Sequence, residues 1–211
     1  MADVLRVLWT IVPLFSPQPW LVCAGCGEVK PFRSSQIIRV NANGKNLDAW
    51  LIYKCTACDN TWNRPILERR RVGTIDPIFL EALRTNDAGL VRRLAFDVEE
   101  LRRKQERVEE FADVLVRKEV LSEGAAARRR LEIRLAVPQS TSLRVDRLLA
   151  TELCLARPRI QELREKGRLV ISPNSSRVLR RPVRDRMCLA IDLAKESDSD
   201  KIATAAMGLP A

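Results

Sequence analysis

The sequence predicts an α+β protein built from small modules, and three patterns lead to this prediction. Two Cys-x-x-Cys pairs in the first third are joined by strand-like segments, a middle segment has the apolar spacing of amphipathic helices, and a basic segment after residue 140 alternates short helices and strands. We expect a four-cysteine β module over residues 1–75, a helical segment with a β-hairpin over 76–139, a small α/β module over 140–194 and a flexible tail over 195–211.

Four cysteines of the first module have the spacing of metal ligands. They are Cys23, Cys26, Cys55 and Cys58. Each Cys-x-x-Cys turn places two thiolates on one side of a tight loop, so two facing turns supply four sulfurs for a tetrahedral zinc site. The chain has no histidine, so sulfur would provide every ligand. Gly27 after the first pair, and Asp59 or Asn60 after the second, are residue types that reach the left-handed backbone conformation such turns require.

A zinc ion held by four thiolates has no open position, so the predicted zinc is structural and the module is zinc-ribbon-like. The turn at residues 41–45, between strand-like runs at 36–40 and 47–53, would bring the second cysteine pair back to the first. A disulfide pair, a redox Cys-x-x-Cys and an iron–sulfur cluster are alternatives that use the same residues. Cys154 and Cys188 lie on apolar stretches and are interpreted as buried core residues.

Composition limits the functional classes. The chain has 211 residues, a net charge of +10 and 30% charged residues, with a pI near 9.8. An excess of positive charge suits a polyanionic partner. No apolar run approaches the length of a membrane span and the first residues lack a signal-peptide layout, so the expected location is the cytoplasm, without a membrane partner.

Local patterns predict the remaining elements. Residues 4–12 are rich in β-branched and aromatic side chains, which predicts a strand of the first module. Asp76 and Asp87 are expected to cap two helices, the second with apolar residues at three-and-four spacing over 90–101. Apolar residues alternate near 114–116 and over 131–137, which predicts a hairpin that turns at Ser122-Glu123-Gly124.

Four aromatic residues of the first module, Trp20, Trp50, Tyr53 and Trp62, are interpreted mainly as core and as cover for the metal site. Base stacking is the alternative role for their rings.

The last module reads as two short helices followed by two short strands. Val145, Leu148 and Leu149 share one helical face, and Pro158 begins the second helix. Gly167 is expected to end that helix in the left-handed conformation, before strands at 169–171 and 188–192.

These residues resemble the RNA-binding domain named after small-subunit ribosomal protein four. Its pattern is matched in order by Arg144, Asp146, Leu149, Ala150, Arg157, Leu163 and Gly167. Ala156 stands where the family usually has Ser, and Ser172-Pro173-Asn174 stands where it has Asn-Gly. The resemblance implies a basic face that contacts structured RNA. That face would consist of Arg144, Arg147, Arg157, Arg159, Arg164, Lys166 and Arg168. In the alternative interpretation Arg144 pairs with Asp146 to brace the first helix, and the other basic side chains form a solvated surface.

Nearly the whole chain also resembles a bacterial family catalogued as domain of unknown function 1062, which implies no activity. Three functional hypotheses follow. The first is a cytoplasmic accessory protein that contains zinc and binds structured ribosomal or transfer RNA through its basic C-terminal module. The second is a protein-interaction adapter without nucleic-acid contacts. An enzyme is disfavoured, because histidine, a glycine-rich phosphate loop and a nucleophile elbow are all missing from the sequence.

Overall fold

A computed structural model describes residues 4–122, 129–194 and 196–209. Within those ranges the fold is mixed α+β, with two five-stranded sheets. The strands are β1 (Val4–Pro13), β2 (Gln18–Val22), β3 (Val29–Asn43), β4 (Asn46–Cys55), β5 (Thr61–Arg71), β6 (Val108–Glu109), β7 (Val114–Ser122), β8 (Arg130–Ala136), β9 (Leu169–Ser172) and β10 (Cys188–Asp192). The helices are α1 (Pro77–Arg84), α2 (Ala88–Ala95), α3 (Val98–Lys104), α4 (Val145–Glu152), α5 (Arg157–Glu165) and α6 (Ser199–Met207).

The chain divides into two compact units. One consists of Ser16–Glu110 and is called the cysteine unit here; the other combines Met1–Phe15 with Phe111–Ala211 and is called the composite unit. These units cut across the boundaries expected from the sequence. The first strand, expected in the four-cysteine module, belongs instead to the sheet of the composite unit.

The cysteine unit is built on an antiparallel sheet in the order β5-β4-β3-β2-β6. As the sequence predicted, β3 and β4 form a hairpin, and Gly44 in its turn has a φ of 59°. The buried face of the sheet, which includes Leu51 and Tyr53, packs with Leu90 and Leu101 of the helical segment in one apolar core. Burial of this core from water stabilises the unit.

Three aspartates begin the three helices of this unit. The side chains of Asp76, Asp87 and Asp97 accept hydrogen bonds from backbone N–H groups three residues later, at 2.9, 2.7 and 3.0 Å. The first two caps are the predicted ones. The single long helix expected after Asp87 is wrong, because the chain leaves α2 after Ala95 and Asp97 caps a separate helix.

The composite unit has a mixed sheet in the order β7-β1-β8-β10-β9. The predicted hairpin of β7 with β8 is wrong: β1 lies between them, antiparallel to β7 and parallel to β8. The physical reason is the apolar content of β1, whose Leu5, Val7 and Trp9 are fully buried and are best accommodated in a central strand. Glu123 and Gly124 of the predicted turn lie outside the described residues.

The helices and strands of residues 140–194 follow the sequence prediction. Helices α4 and α5 bury Leu148, Leu149 and Leu163 in the core of the composite unit. Gly167 ends α5 with a φ of 69°, and β9 then pairs antiparallel with β10.

The segment expected to be a flexible tail contains an ordered helix. Ile202, Ala203 and Ala206 of α6 are buried in the core of the composite unit. The indole N–H of Trp9 donates to the carbonyl oxygen of Ala206 at 2.9 Å, and the Lys118 ammonium donates to the carbonyl of Ala205 at 2.8 Å. The polar residues before α6 concealed this short apolar face in the sequence.

Cys154 and Cys188 are exposed rather than buried, which corrects another expectation. Cys154 follows the end of α4 with a φ of 54°, where the chain turns away from the apolar face. Cys188 occupies an outward-facing position of β10, whose alternate residues Leu189 and Ile191 are buried. Among the described residues, no helix is long and apolar enough to cross a membrane.

Replacing Ile202 with Ala should lower the free energy of unfolding of the protein by about 2–4 kcal/mol, because the change leaves a cavity in a packed core. Urea denaturation followed by tryptophan fluorescence measures this change. Lys201→Ala, at an exposed position of the same helix, is the matched control and should change stability by less than about 0.5 kcal/mol. Equal midpoints for Ile202→Ala and the wild-type protein would show that α6 is not docked in solution.

Candidate metal centre and arginine cleft

Two tight turns hold the four clustered cysteines at one end of the sheet of the cysteine unit. The first turn joins β2 to β3, and the second joins β4 to β5. The backbone N–H of Cys23 donates to the carbonyl of Glu28 at 2.9 Å, and the N–H of Cys55 donates to the carbonyl of Asn60 at 2.8 Å. The two turns therefore have the same backbone hydrogen-bond pattern. The pairing of the strands places the two turns side by side.

The residue after each cysteine pair has a left-handed backbone. Gly27 has a φ of 72° and Asp59 a φ of 57°. The N–H of Gly27 donates to the carbonyl of Cys23 at 2.8 Å, and the N–H of Asp59 donates to the carbonyl of Cys55 at 3.0 Å. The sequence prediction assigned this role to Gly27 and to Asp59 or Asn60, and the structure assigns the second to Asp59.

The sulfur atoms of all four cysteines lie within 4.8 Å of one another. The Cys23 and Cys58 sulfurs are 3.4 Å apart, and those of Cys26 and Cys55 are 3.9 Å apart. A tetrahedral ion with metal–sulfur bonds of about 2.3 Å requires sulfur separations of about 3.8 Å. All four cysteines are free thiols, so the disulfide alternative does not describe this structure. The donor set and its geometry are compatible with a metal site.

Gly25 provides the space that this cluster needs. A Cβ atom at position 25 would lie 3.1 Å from the Cys58 sulfur, closer than nearly all natural Cβ contacts. The close approach of the first turn to the Cys58 sulfur therefore favours glycine between Cys23 and Cys26.

The thiols of the cluster differ in acidity. Burial raises the pKa of Cys23, but hydrogen bonds from backbone N–H groups and from the other thiols outweigh it and bring the pKa to about 6. The hydrogen bond with Cys58 and burial raise the pKa of Cys26 to about 12. Without a cation, deprotonation is thus favoured at Cys23 and opposed at Cys26. A bound divalent cation would supply the positive charge that stabilises the additional thiolates.

Tyr53 and Trp62 have the core role that the sequence predicted for the aromatic residues of this unit. Their ring centroids are 5.3 Å apart beside the buried face of the sheet. Trp20 instead lies under the guanidinium of Arg107, 3.6 Å from the ring centroid, and donates its indole N–H to Glu109 at 3.1 Å. Trp50 is half-buried and belongs to neither arrangement.

A cleft of about 650 Å³ lies on the composite unit and is lined by five arginines. They are Arg144, Arg157, Arg164, Arg177 and Arg180. The first three belong to the basic face predicted from the sequence. The other two come from the turn after β9, where the sequence analysis assigned no site; the density of arginines over residues 177–186 is the signal that could have identified them. The carboxylates that line the cleft are Asp146 and Glu165.

The five arginines differ in how they are engaged. Arg144 donates to both carboxylate oxygens of Asp146, at 3.1 and 2.6 Å, which is the bracing pair of the alternative interpretation. Arg164 donates to the carbonyl of Leu169 at 3.2 Å and to the side chain of Asn174. Three other side chains of the cleft have neither an ion pair nor a hydrogen bond within the described part of the chain. They are Arg157, Arg177 and Arg180.

The other predicted RNA contacts lie elsewhere. Arg159 pairs with Glu162 at 2.6 Å, and Lys166 pairs with the same carboxylate. Hydrogen bonds from Lys166 and Arg159 lower the pKa of Glu162 to about 2. Arg159 also binds Glu196, which accepts from Arg168 at 2.5 Å. These cations are therefore bound within the fold.

Arg147, the remaining predicted contact, lines a separate depression of about 180 Å³. The cleft and this depression share no lining residue. Of the predicted face, the cleft therefore contains only Arg144, Arg157 and Arg164.

Comparison with known proteins identifies the family. The model of the family described as "Protein of unknown function (DUF1062)" matches residues 40–175, more than half of the chain. The chain belongs to this family. The matched segment contains Cys55 and Cys58 but not Cys23 and Cys26, and it ends before Arg177. No curated protein and no solved structure matches the chain significantly.

Metal binding should protect the clustered thiols from alkylation. In the metal-loaded protein, iodoacetamide should modify Cys154 and Cys188 first, because both are exposed and lie outside the cluster. After chelation, Cys58, the exposed member of the cluster, should become reactive as well. Peptide mass spectrometry before and after chelation measures each site. A Cys58 that alkylates equally fast in both samples would contradict metal ligation.

Proposed function

We propose that this member of the DUF1062 family is a zinc-containing RNA-binding accessory protein of the cytoplasm that acts by binding and not by catalysis. The observation that carries the proposal is the set of unpaired guanidinium groups around the cleft, those of Arg157, Arg177 and Arg180. An unpaired guanidinium readily binds phosphate, because its planar N–H groups match two phosphate oxygens and remain charged at every physiological pH.

The cleft suits a nucleic-acid backbone better than an enzymatic substrate. It carries five arginines and two carboxylates, and Asp146 is already bound by Arg144. Phosphate groups that approach the cleft would meet a positive field with little competing negative charge. The chain has no histidine to act as a general base, which supports a binding role.

The resemblance to the ribosomal-protein-four RNA-binding domain supports the same assignment. Arg144 and Asp146 of the matching pattern form an ion pair at the start of α4, and Arg157 begins α5 at the edge of the cleft. Structured RNA, whose surface offers closely spaced phosphates, is the partner that this arrangement favours. A ribosomal or transfer RNA would provide such a surface.

Zinc is the metal that we propose for the cysteine cluster. Four sulfur ligands at nearly tetrahedral separations suit zinc, and a complete protein ligand set leaves no position for water or substrate. The role is therefore structural: the ion would hold the two turns of the cysteine unit together, and Cys23, Cys26, Cys55 and Cys58 would be its ligands.

Changing Arg157, Arg177 and Arg180 together to Glu should weaken binding of structured RNA by about 100-fold or more, and should reduce the slope of log affinity against log salt by about 3. Filter binding with transfer RNA and ribosomal RNA fragments at several salt concentrations measures both quantities. The matched control changes the exposed Arg117, Arg134 and Arg184 to Glu, which alters the net charge equally outside the cleft. Equal losses in both triple variants would assign binding to net charge alone, and a protein that binds no RNA at low salt would favour the adapter hypothesis.

Replacing Cys55 and Cys58 with Ser should remove one zinc ion per chain and unfold the cysteine unit, because zinc binding and folding are coupled in such sites. Metal analysis and circular dichroism measure the two effects. Cys154→Ser with Cys188→Ser is the control and should retain the metal, since neither residue is in the cluster. If metal analysis found iron and the protein absorbed visible light, the bound group would be an iron–sulfur cluster and not zinc.

A further inference from the structure

The side of the β3–β4–β5 sheet opposite the apolar core of the cysteine unit carries an unusual combination of side chains. Along β4 every second residue is buried, including Leu51 and Tyr53. Trp50, Ile52 and Lys54 alternate with them and therefore point to the opposite face of the sheet. This surface, defined by Trp50, Lys54, Arg33 and Arg39, is called the tryptophan face below.

The strand register places cationic residues beside Trp50. Arg39 lies directly opposite Trp50 on β3, and Pro65 lies opposite it on β5. Arg33 lies opposite Lys54, four residues along β4 from Trp50. Directly opposite residues on neighbouring strands have Cβ atoms about 5 Å apart, so Arg39 lies beside Trp50, while Ile52 lies between Trp50 and Lys54 on the same face.

Trp50 differs from the other three tryptophans in having no partner within the described part of the chain. Trp9 donates its indole N–H to Ala206, Trp20 is covered by a guanidinium, and Trp62 packs against Tyr53. Trp50 belongs to no aromatic pair or cation–π contact and is not part of the apolar core. Its large ring has thus neither of the roles that usually explain a tryptophan in a small unit.

The charges of the tryptophan face are also available. Arg39 is exposed and Lys54 is half-buried, and neither forms an ion pair or a side-chain hydrogen bond within the described residues. Arg33 pairs with Asp59 at 3.0 Å, at positions where both side chains are more than half exposed. The carboxylate of Asp48 on this side of the sheet accepts the backbone N–H of Arg69 at 2.7 Å. The patch therefore has a positive balance around an aromatic ring.

We propose that the tryptophan face is a second nucleic-acid site, which binds a single-stranded segment by stacking one base on Trp50 while Arg39 and Lys54 contact the adjoining phosphates. Charge complementarity identifies the partner, since an apolar protein surface would leave these cations without counter-charges. An aromatic ring beside basic side chains on the face of a sheet is a combination that binds single-stranded nucleic acid in other proteins. The inference goes beyond the arginine cleft and does not depend on it, because the two sites lie on different units.

The experiment measures binding of a fluorescein-labelled oligouridylate of about ten nucleotides by fluorescence anisotropy at low salt. The full chain carries Arg157→Glu, Arg177→Glu and Arg180→Glu as background, so that the cleft does not contribute. Trp50→Ala should weaken binding about 5- to 100-fold, the range for loss of one base–aromatic stack. Trp50→Phe should retain most of the affinity because it keeps an aromatic face.

Two further variants separate the site from net charge and from folding. Arg39→Gln with Lys54→Gln should weaken binding and reduce its salt dependence, whereas the control Arg84→Gln with Arg93→Gln, two exposed cations on α1 and α2, should change it less than about 3-fold. Circular dichroism checks that each variant is folded. If the Trp50→Ala protein is not folded, the Trp50→Phe protein keeps the test decisive. Equal affinity of the Trp50→Ala protein and its background, or no binding of oligouridylate by the background itself, would overturn the proposal. If the cleft variants did not weaken binding of structured RNA, the proposed function of the cleft would be contradicted. The Trp50 result would still be interpretable, because it is measured in a background that lacks the cleft arginines.

Discussion

The approach of four sulfur atoms is the constraint on which the cysteine unit depends. The turns between β2 and β3 and between β4 and β5 must lie side by side for these sulfurs to come within 4.8 Å. Once the turns are fixed, β3 extends from one of them and returns through the Gly44 hairpin along β4 to the other. The cluster therefore fixes the register of the sheet at one end, while the helices cover its apolar face.

The basic residues of the composite unit fall into two groups, those that are bound by carboxylates and those that are not. Glu196, whose side chain is 2% exposed, binds Arg159 and Arg168, while Glu162 binds Arg159 and Lys166. An unpaired buried carboxylate is costly, so these arginines are needed for packing of the C-terminal segment. Arg157, Arg177 and Arg180 of the cleft bind no carboxylate within the described residues, so the packing of the unit does not depend on an ion pair from them. A triple substitution that included Arg159 would consequently mix loss of binding with loss of structure.

Features that depend on neighbouring residues were predictable from the sequence. The caps at Asp76 and Asp87, the left-handed Gly27 and Gly167, and the β3–β4 hairpin each follow from local residue preferences. The insertion of β1 between β7 and β8 was not predictable in this way, because the choice of partner strand is decided by packing across most of the chain. An alternating pattern shows that a strand exists but leaves its neighbours open.

The candidate sites show the same limit. Cysteine spacing was sufficient to choose the four clustered residues, because each pair is local and the chemistry of the pairs is shared. A count of basic residues could not distinguish Arg157 from Arg159, since the difference lies in a carboxylate far along the chain at Glu196. Likewise, only the strand register distinguishes the outward Trp50 from the buried Tyr53 three residues later.

The extent of the family match bears on how these sites are completed. Residues 40–175 include the second cysteine turn and the first arginines of the cleft. The first cysteine turn lies before that segment, and Arg177 and Arg180 lie after it. Each of these parts nevertheless packs within the same unit as the matched residues that it complements. The matched segment alone would supply half of the sulfur ligands of the metal site. It would supply only one of the three unpaired arginines of the cleft. Both proposed sites therefore require the chain on either side of the matched segment.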